Sequence, residues 1–202
     1  MKFREELKMQ RWDDHRYYHQ SRVNQSLHLV SAISFLGAYT MLFINPVIAA
    51  YLGWVVAMVS RQLGHFFFEP DGYDHINNTT FEHKEDIKVG YNLHRKVVLL
   101  SLWILIPAVL YLNPELFGLL DADQGFINNL GMIWLFLGIG ALMFRTIHLF
   151  FIQNVQAGLV WCTKILTDPF HDIKLYHKSP IYLLKGELLD PMDHVSVSQV
   201  KS

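Results

Sequence analysis

Histidine is the residue type whose distribution in this chain most directly predicts chemistry. The chain carries 11 histidines in 202 residues, and three of them, His28, His65 and His148, fall inside long apolar runs. An ionisable side chain in an apolar span is costly, so such a residue is by default a candidate for function. Neutral imidazole nitrogen is a ligand for iron, zinc and copper. We therefore expect a metal or haem site built from histidines.

The spacing of the first histidines predicts how two of them meet. In His15-Arg-Tyr-Tyr-His19 and Asn24-Gln-Ser-Leu-His28, residues four apart share one face of a helix. His19 and His28 are nine apart, which on one unbroken helix would put them on opposite sides. A helix break between residues 21 and 24 would let His19 fold back beside His28.

A third histidine ends the second apolar run, in Gly64-His65-Phe-Phe-Phe-Glu69-Pro70. His65 and Glu69 share a helix face there, just where Pro70 is expected to end the helix.

The later part of the chain adds further candidates. His148 and His171 are further candidate ligands beside His19, His28 and His65. Metal-bound histidines usually engage a second group through their other ring nitrogen. The expected supporting residues are Asn24, Glu69, Asp168, Asp172 and His177. The other histidines are typical of interfacial or capping positions, namely His75, His83, His94 and His194.

Two motifs in this chain resemble the membrane-embedded 2-hydroxy fatty acid dioxygenases, the family of the fungal 2-hydroxy-palmitate dioxygenase. The motifs are Tyr18-His19-x4-Asn24-x3-His28 and Gly64-His65-x3-Glu69. The resemblance covers about residues 12–70. It implies a multi-pass protein that uses Fe(2+) and molecular oxygen to shorten 2-hydroxy fatty acids by one carbon. It also implies that His19, His28 and His65 are iron ligands, with Asn24 and Glu69 as supporting or additional ligands.

This chain departs from the shorter members of that family in two places. Its loop over Glu69–Lys96 and its tail over Gln153–Ser202 are longer. The tail brings His171 and His177, which either complete the metal shell or belong to an added feature. The substrate's carboxylate and 2-hydroxyl would chelate the iron, and Arg61 or Arg145 would pair with the carboxylate unless each only reaches toward the membrane interface.

Four apolar runs must position these residues. They are His28–Ile44, Val47–Phe68, Val97–Leu112 and Leu130–Ile152, and a membrane-spanning helix needs about 17–25 apolar residues. Asn45–Pro46 joins the first two runs as a tight hairpin, and Asn113–Pro114 stops the third. The sequence thus predicts an all-α bundle of about four transmembrane helices.

The tail is predicted to be helical over Val155–Leu166, to stop at Thr167–Phe170 and to fray from about Asp190. We expect residues 1–152 to form the membrane domain. Residues 153–202 then form an interfacial extension of that same domain.

Basic residues predict the orientation. Six Lys or Arg precede the first run, four lie in the central loop and five follow Ile152, whereas the two opposite connections hold none. Positive residues favour the cytoplasmic side, so both termini and the histidine-rich ends are expected there. This fits an endoplasmic reticulum membrane in a eukaryote or the inner membrane of a bacterium.

Composition excludes some classes and leaves others open. A hydrophobic fraction of 51% and a net charge of −1 favour membrane lipids as partners and give no reason to expect nucleic acid. No nicotinamide, flavin or nucleotide motif is visible. Three alternatives remain: a b-type haem protein with histidine axial ligands, a small transporter that relays protons through histidines, and a non-catalytic membrane scaffold. The sequence does not predict the oligomeric state.

Overall fold

The computed structural model describes residues 1–69, 72–91 and 93–192, and these residues form an all-α bundle. Within those ranges there is no strand, and only two isolated β-bridges occur, Ser21 with Leu189 and Asp74 with Thr79. The predicted fold class is confirmed. The predictions for Pro70, for His194 and for fraying beyond residue 192 lie outside the described residues.

The helices follow one another with short connections. In chain order they are α1 (Phe3–Tyr18), α2 (Arg22–Met41), α3 (Pro46–Tyr51), a π-helical segment (Leu52–Met58), α4 (Val59–Phe67), α5 (Phe81–Ile87), α6 (Leu93–Leu112), a 3-10 turn (Ala122–Gln124), α7 (Phe126–Ile152), α8 (Val155–Tyr176) and α9 (Ser179–Leu184). Helix α3, the π segment and α4 run on as one rod, Pro46–Phe67.

Three of these segments are long and apolar enough to cross a membrane: Pro46–Phe67, His94–Leu112 and Phe126–Ile152. Large apolar side chains on their surfaces are exposed, for example Ile104 on α6 and Phe144 on α7. Extended apolar surface of this kind is not stable in water, whereas lipid tails cover it without cost. The prediction of a membrane protein is confirmed to this extent.

The first predicted span is different. It forms α2, which is 20 residues long but falls outside that apolar set. The reason lies in its first two turns, where Asn24, Gln25 and His28 are polar and fully buried. Only three of the four expected spans therefore have the composition of a crossing helix.

The predicted hairpin at Asn45–Pro46 and the predicted helix stop at Asn113–Pro114 are both confirmed. The Asn45 side chain accepts hydrogen bonds from the backbone N–H groups of Val47 and Ile48, both at 3.1 Å, and Pro46 occupies the first helical turn. This is a favourable helix start, because Asn caps the free N–H groups and proline needs none. Helix α6 ends at Leu112, directly before Asn113-Pro114.

Helix α8 is longer than the sequence predicts. The expected stop at Thr167–Phe170 is wrong, since the helix continues to Tyr176 with Pro169 inside it. Proline removes one backbone hydrogen bond and disturbs the preceding turn. The Tyr39 hydroxyl on α2 donates to the Leu166 carbonyl at 3.2 Å, which provides a partner within the disturbed turn.

Ion pairs from α1 hold the same turn of α8. Arg11 Nε donates to Asp168 Oδ1 at 3.1 Å, and Lys164 Nζ donates to Asp168 Oδ2 at 2.6 Å. Lys164 also contacts Asp14 on α1. Burial alone would lower the pKa of Lys164, but Asp14 and Asp168 raise it above its ordinary value. These tertiary contacts thus stabilise the helical conformation of α8 across Pro169.

Tryptophan side chains organise the apolar half of the bundle. Trp54 Nε1 donates to the Trp134 carbonyl at 2.6 Å, and Trp134 Nε1 donates to the Trp103 carbonyl at 3.2 Å. The π segment, α7 and α6 are linked in this way. Helices α3 and α7 approach closely at Gly131, where a Cβ would lie 2.7 Å from Val47 Cγ1.

We expect Gly131→Ala to destabilise the protein by about 1–3 kcal/mol, because the added methyl group overpacks the α3–α7 contact. Thermal unfolding in detergent measures the change. Gly140→Ala is the matched control: it lies on the same helix, a Cβ there meets nothing within 4 Å, and alanine favours helix. Equal melting temperatures for the two variants would contradict the packing assignment.

Candidate metal centre

The connection between α1 and α2 places the first histidine. Helix α1 ends at Tyr18 and α2 begins at Arg22, so the helix does break, at residues 19–21, slightly before the predicted position between residues 21 and 24. The last carbonyls of a helix have no partner within it. Here Asn24 Nδ2 donates to the Tyr18 carbonyl at 2.7 Å, and Gln25 Nε2 donates to the His19 carbonyl at 2.8 Å. The start of α2 therefore caps the end of α1.

This turn brings three histidines together. The ring centroids of His19 and His28 are 4.0 Å apart, and the centroid of His65 lies 5.3 Å from the first and 5.0 Å from the second. One ring nitrogen from each lies within 4.8 Å of the others. His19 and His28 are buried and His65 is partly buried. The expectation that His19 folds back beside His28 is confirmed.

Each of the three rings has a polar group facing its Nδ1. The Tyr176 hydroxyl lies 2.9 Å from His19 Nδ1, and Glu69 Oε2 lies 2.7 Å from His65 Nδ1. Asp172 Oδ2 lies 3.6 Å from His28 Nδ1, slightly beyond hydrogen-bond distance. Partners of this kind orient metal-binding histidines and set which ring nitrogen carries the proton.

The Tyr176 hydroxyl also contacts His15 Nδ1 at 3.1 Å. One hydroxyl has a single proton to donate, so one of the two imidazoles must donate to it. If His19 keeps its proton on Nδ1, Tyr176 accepts there and donates to His15. This assignment leaves His19 Nε2 as a free lone pair.

Buried nitrogens without hydrogen bonds mark the centre of the group. Across residues 1–69, 72–91 and 93–192, His19 Nε2 and both nitrogens of His28 have no hydrogen-bond partner. Such buried polar atoms are rare and indicate an unaccounted water or ion. Together with the Nδ1 contacts, they form a set of donors that fits a metal ion.

A glycine sets how closely α2 and α4 approach at this point. A Cβ on Gly64 would overlap the side-chain oxygen of Asn24. His65 follows Gly64 directly, and His28 lies one turn after Asn24. The contact therefore fixes the separation of two of the three histidines.

Burial disfavours the charged forms of the groups around the centre. Desolvation lowers the pKa of His19 well below its ordinary value of 6.5, and the neighbouring His28 acts in the same direction. Desolvation raises the pKa of Asp172, opposed by Arg61, and raises the pKa of the Tyr176 phenol. His19 is thus a neutral imidazole at pH 7, the form that binds a metal.

A cavity of about 420 Å³ opens beside the histidines. Its polar end includes His19, Arg61 and His65, and its apolar end includes Ala49 and Trp134. His65 and Ala49 lie 16 residues apart on one rod, which is about 24 Å at roughly 1.5 Å per residue. The cavity therefore extends along most of a membrane-spanning helix and has the size of a small-molecule site.

No protein-family model, curated protein or solved structure matches this chain. The likeness to the 2-hydroxy fatty acid dioxygenases accordingly remains an interpretation of two motifs. What can be argued about chemistry comes from the geometry of the three histidines and the cavity.

Two residues predicted at the site lie elsewhere. His148 is not in the histidine group; its Nδ1 lies 2.9 Å from Arg145 Nη1 on the same helix. Arg145 is only 2% exposed and donates from Nε to the Val89 carbonyl at 3.1 Å. It neither lines the cavity nor reaches the interface, because it anchors the segment before α6.

The candidate residues predicted in the C-terminal tail differ in their distance from the three histidines. His171 does not join the three histidines, but it lines a cavity of about 10 Å³ next to His19 and Tyr176, with room for about one water. Asp168 serves the ion pairs with α1 rather than a histidine. His177 caps the end of α8 by contacting the Lys174 carbonyl at 3.0 Å and is exposed. Of the expected tail partners, only Asp172 faces a histidine of the group.

The sequence reading missed three residues that support the site. Tyr176 follows Asp172 by four residues, so both share one face of α8. That spacing was not recognised because the helix was expected to stop at Thr167–Phe170. Gln25 stands beside the recognised Asn24. Asp190, expected to be frayed, is 3% exposed; its carboxylate accepts from Gln25 Nε2 at 2.8 Å and from Arg22 Nη1 at 3.0 Å.

We expect Gly64→Ala to weaken metal binding by tenfold or more although it removes no ligand, because the methyl group would displace Asn24 and with it the α2–α4 contact. Gly140→Ala is the matched control and should bind metal normally, since a Cβ there meets nothing within 4 Å. Titration of metal into purified protein measures both. No loss in Gly64→Ala, or an equal loss in Gly140→Ala, would show that the contact does not set the site.

The metal-free protein should lose stability in acid. The unfolded chain takes up a proton on His19 below about pH 6.5, whereas the folded chain does not, so the free energy of unfolding falls as the pH drops through that value. The slope from one such group is at most about 1.4 kcal/mol per pH unit. His19→Asn should flatten the profile of melting temperature against pH in the presence of a chelator. An unchanged slope would mean that His19 titrates normally in the fold.

Proposed function

We propose that this protein is an iron(II)-dependent dioxygenase that shortens 2-hydroxy fatty acids, or a related hydroxylated acyl chain, by one carbon. His19, His28 and His65 would hold one Fe(2+). The observation that carries the proposal is the convergence of these three imidazoles, two buried and one partly buried, at the polar end of an elongated apolar cavity. Each has a polar group at Nδ1.

The distances suit a single ion. Bonds from imidazole nitrogen to a transition metal are about 2.0–2.1 Å long, so nitrogens sharing one ion are at most about 4.2 Å apart. The three nitrogens here lie within 4.8 Å of one another, which a small side-chain movement would close. Three ligands leave positions open for the substrate and oxygen, as catalytic sites require.

The reaction needs no further reductant. A 2-hydroxy acid and O2 give the acid one carbon shorter, CO2 and water: the C1–C2 bond breaks, and the four electrons lost by C1 and C2 reduce the oxygen. Bound iron(II) would supply oxygen activation and a centre for chelation of the 2-hydroxy acid. Glu69, Asp172 and Tyr176 would keep the imidazoles oriented, and burial would keep bulk water out.

The position of the site suits a lipid substrate. The predicted orientation puts the histidine end at the cytoplasmic face, of the endoplasmic reticulum in a eukaryote or the inner membrane in a bacterium. The fourth crossing would be α2, whose polar first turns serve the site. The alkyl chain would then enter from the same membrane that the helices span.

Metal analysis of the detergent-purified protein tests the ligands. We expect close to one iron per chain, falling toward zero in His19→Gln, His28→Gln and His65→Gln. The controls, His148→Gln and His177→Gln, should keep their metal because those histidines lie outside the group. Full metal content in a ligand variant that melts normally would refute the ligand assignment.

Turnover and spectroscopy distinguish the alternatives. Protein with iron(II), a 2-hydroxy fatty acid and oxygen should yield the shortened acid and CO2 in equal amounts. A Soret band in the purified protein would support the b-type haem alternative, and proton flux through the protein in vesicles without product would support the histidine-relay transporter.

A further inference from the structure

The polar end of the cavity is rich in basic side chains. Four basic side chains line the cavity: Arg61, Lys88, Lys96 and Lys164. Two of them have clear partners. Lys164 is bound to Asp14 and Asp168. Lys88 lies 3.2 Å from Glu85 Oε1 and 3.6 Å above the centre of the Tyr18 ring.

The other two cations are poorly compensated. The nearest carboxylate oxygen to Arg61 is Asp172 Oδ2 at 3.5 Å, which is long for a bidentate ion pair. Within the described ranges no carboxylate oxygen lies within 4.0 Å of Lys96 Nζ, and Glu69 and Glu85 favour its positive charge only from a longer distance.

Lys96 is not simply a surface lysine. It lies in the first turn of α6, is partly buried and lines the cavity, whereas the next two residues, Val97 and Val98, are exposed to the surroundings. A partly buried cation that has no carboxylate in direct contact is unfavourable. An anion inside the cavity would remove that cost.

The rest of the lining determines what kind of anion fits. Away from the basic end, the wall is formed by side chains such as Phe35, Leu42, Trp54 and Leu135. An inorganic anion would leave this apolar length unfilled. A single-chain amphiphile places its charge at Arg61 and Lys96 and its tail along the apolar wall.

We propose that Arg61 and Lys96 form a binding site for the ionised carboxylate of a free long-chain acid, which the protein selects over the corresponding ester. The chemical identity of the substrate rests on the function proposed above, since a carboxylate held here places carbons 1 and 2 of the acid beside His65. Binding of the acid itself does not require the metal.

Binding to metal-free protein in lipid nanodiscs tests this site. The probe is a long-chain 2-hydroxy acid carrying two bromine atoms mid-chain, which quenches tryptophan on contact; Trp54, Trp134 and Trp161 all line the cavity. The comparison probes are its methyl ester and a monoalkyl phosphate with the same bromines. Saturable quenching as a function of probe concentration gives the affinity.

We expect Lys96→Met to weaken binding of the acid by about tenfold or more, the size of one charge-assisted contact, and to change binding of the ester by less than twofold. Lys96→Arg should restore most of the affinity because it returns the charge. Lys174→Met removes an exposed lysine on α8 and is the control, expected to bind the acid normally.

Each other outcome is decisive. Equal binding of acid and ester, or an unchanged affinity in Lys96→Met, would overturn the site. Equally tight, Lys96-dependent binding of the phosphate would overturn its assignment to a carboxylic acid. If the acid binds as expected while the histidine variants keep their metal, the anion site stands and the iron dioxygenase proposal fails.

Discussion

The candidate site depends on one capping interaction between two consecutive helices. Amide groups of Asn24 and Gln25, in the first turn of α2, donate to the last carbonyls of α1. Without these bonds the carbonyls of Tyr18 and His19 would be buried and unpaired, which costs about 1–3 kcal/mol each. The caps thus make a sharp reversal stable in place of a continuous helix. Because the reversal lies between His19 and His28, it brings their rings into contact although the two residues are nine positions apart in the sequence.

The same contact organises what packs around it. Asn24 also seats against Gly64, which brings α4 and His65 within reach. Gln25 is held in turn by Asp190 and by the Ser179 hydroxyl, which donates to Gln25 Oε1 at 2.6 Å. The backbone N–H of Asp190 donates to the Gln20 carbonyl at 2.8 Å, so the tail crosses the reversal itself. The C-terminal part of the chain therefore stabilises the histidine group from outside.

Much of this arrangement could be predicted from the sequence, and the failures have physical causes. Periodicity and proline rules located the apolar helices, and the spacing of His19, Asn24 and His28 was enough to predict the reversal. Those signals are local. The rule that proline stops a helix failed at Pro169, because Arg11, Lys164 and Tyr39 hold that turn from other helices. That failure concealed Tyr176. The contacts of Arg145 and the position of Lys96 beside the cavity are set by tertiary packing, which no local pattern encodes.

Unfavourable and stabilising interactions lie at opposite ends of the same helices. Toward one end, lipid-facing apolar surface and tryptophan packing stabilise the bundle without buried charge. Toward the other, imidazoles, carboxyls and lysines are crowded into a space that desolvates them. Such a cluster is unfavourable unless its polar groups find partners. A metal ion would occupy the lone pairs of the neutral imidazoles, and an anion would compensate the positive charge near Lys96. A 2-hydroxy acid held between a metal and two basic side chains would satisfy both needs at once, with its alkyl tail in the apolar length of the cavity. On this argument, binding of the metal and binding of the acid should favour one another, since the metal adds positive charge that the carboxylate compensates.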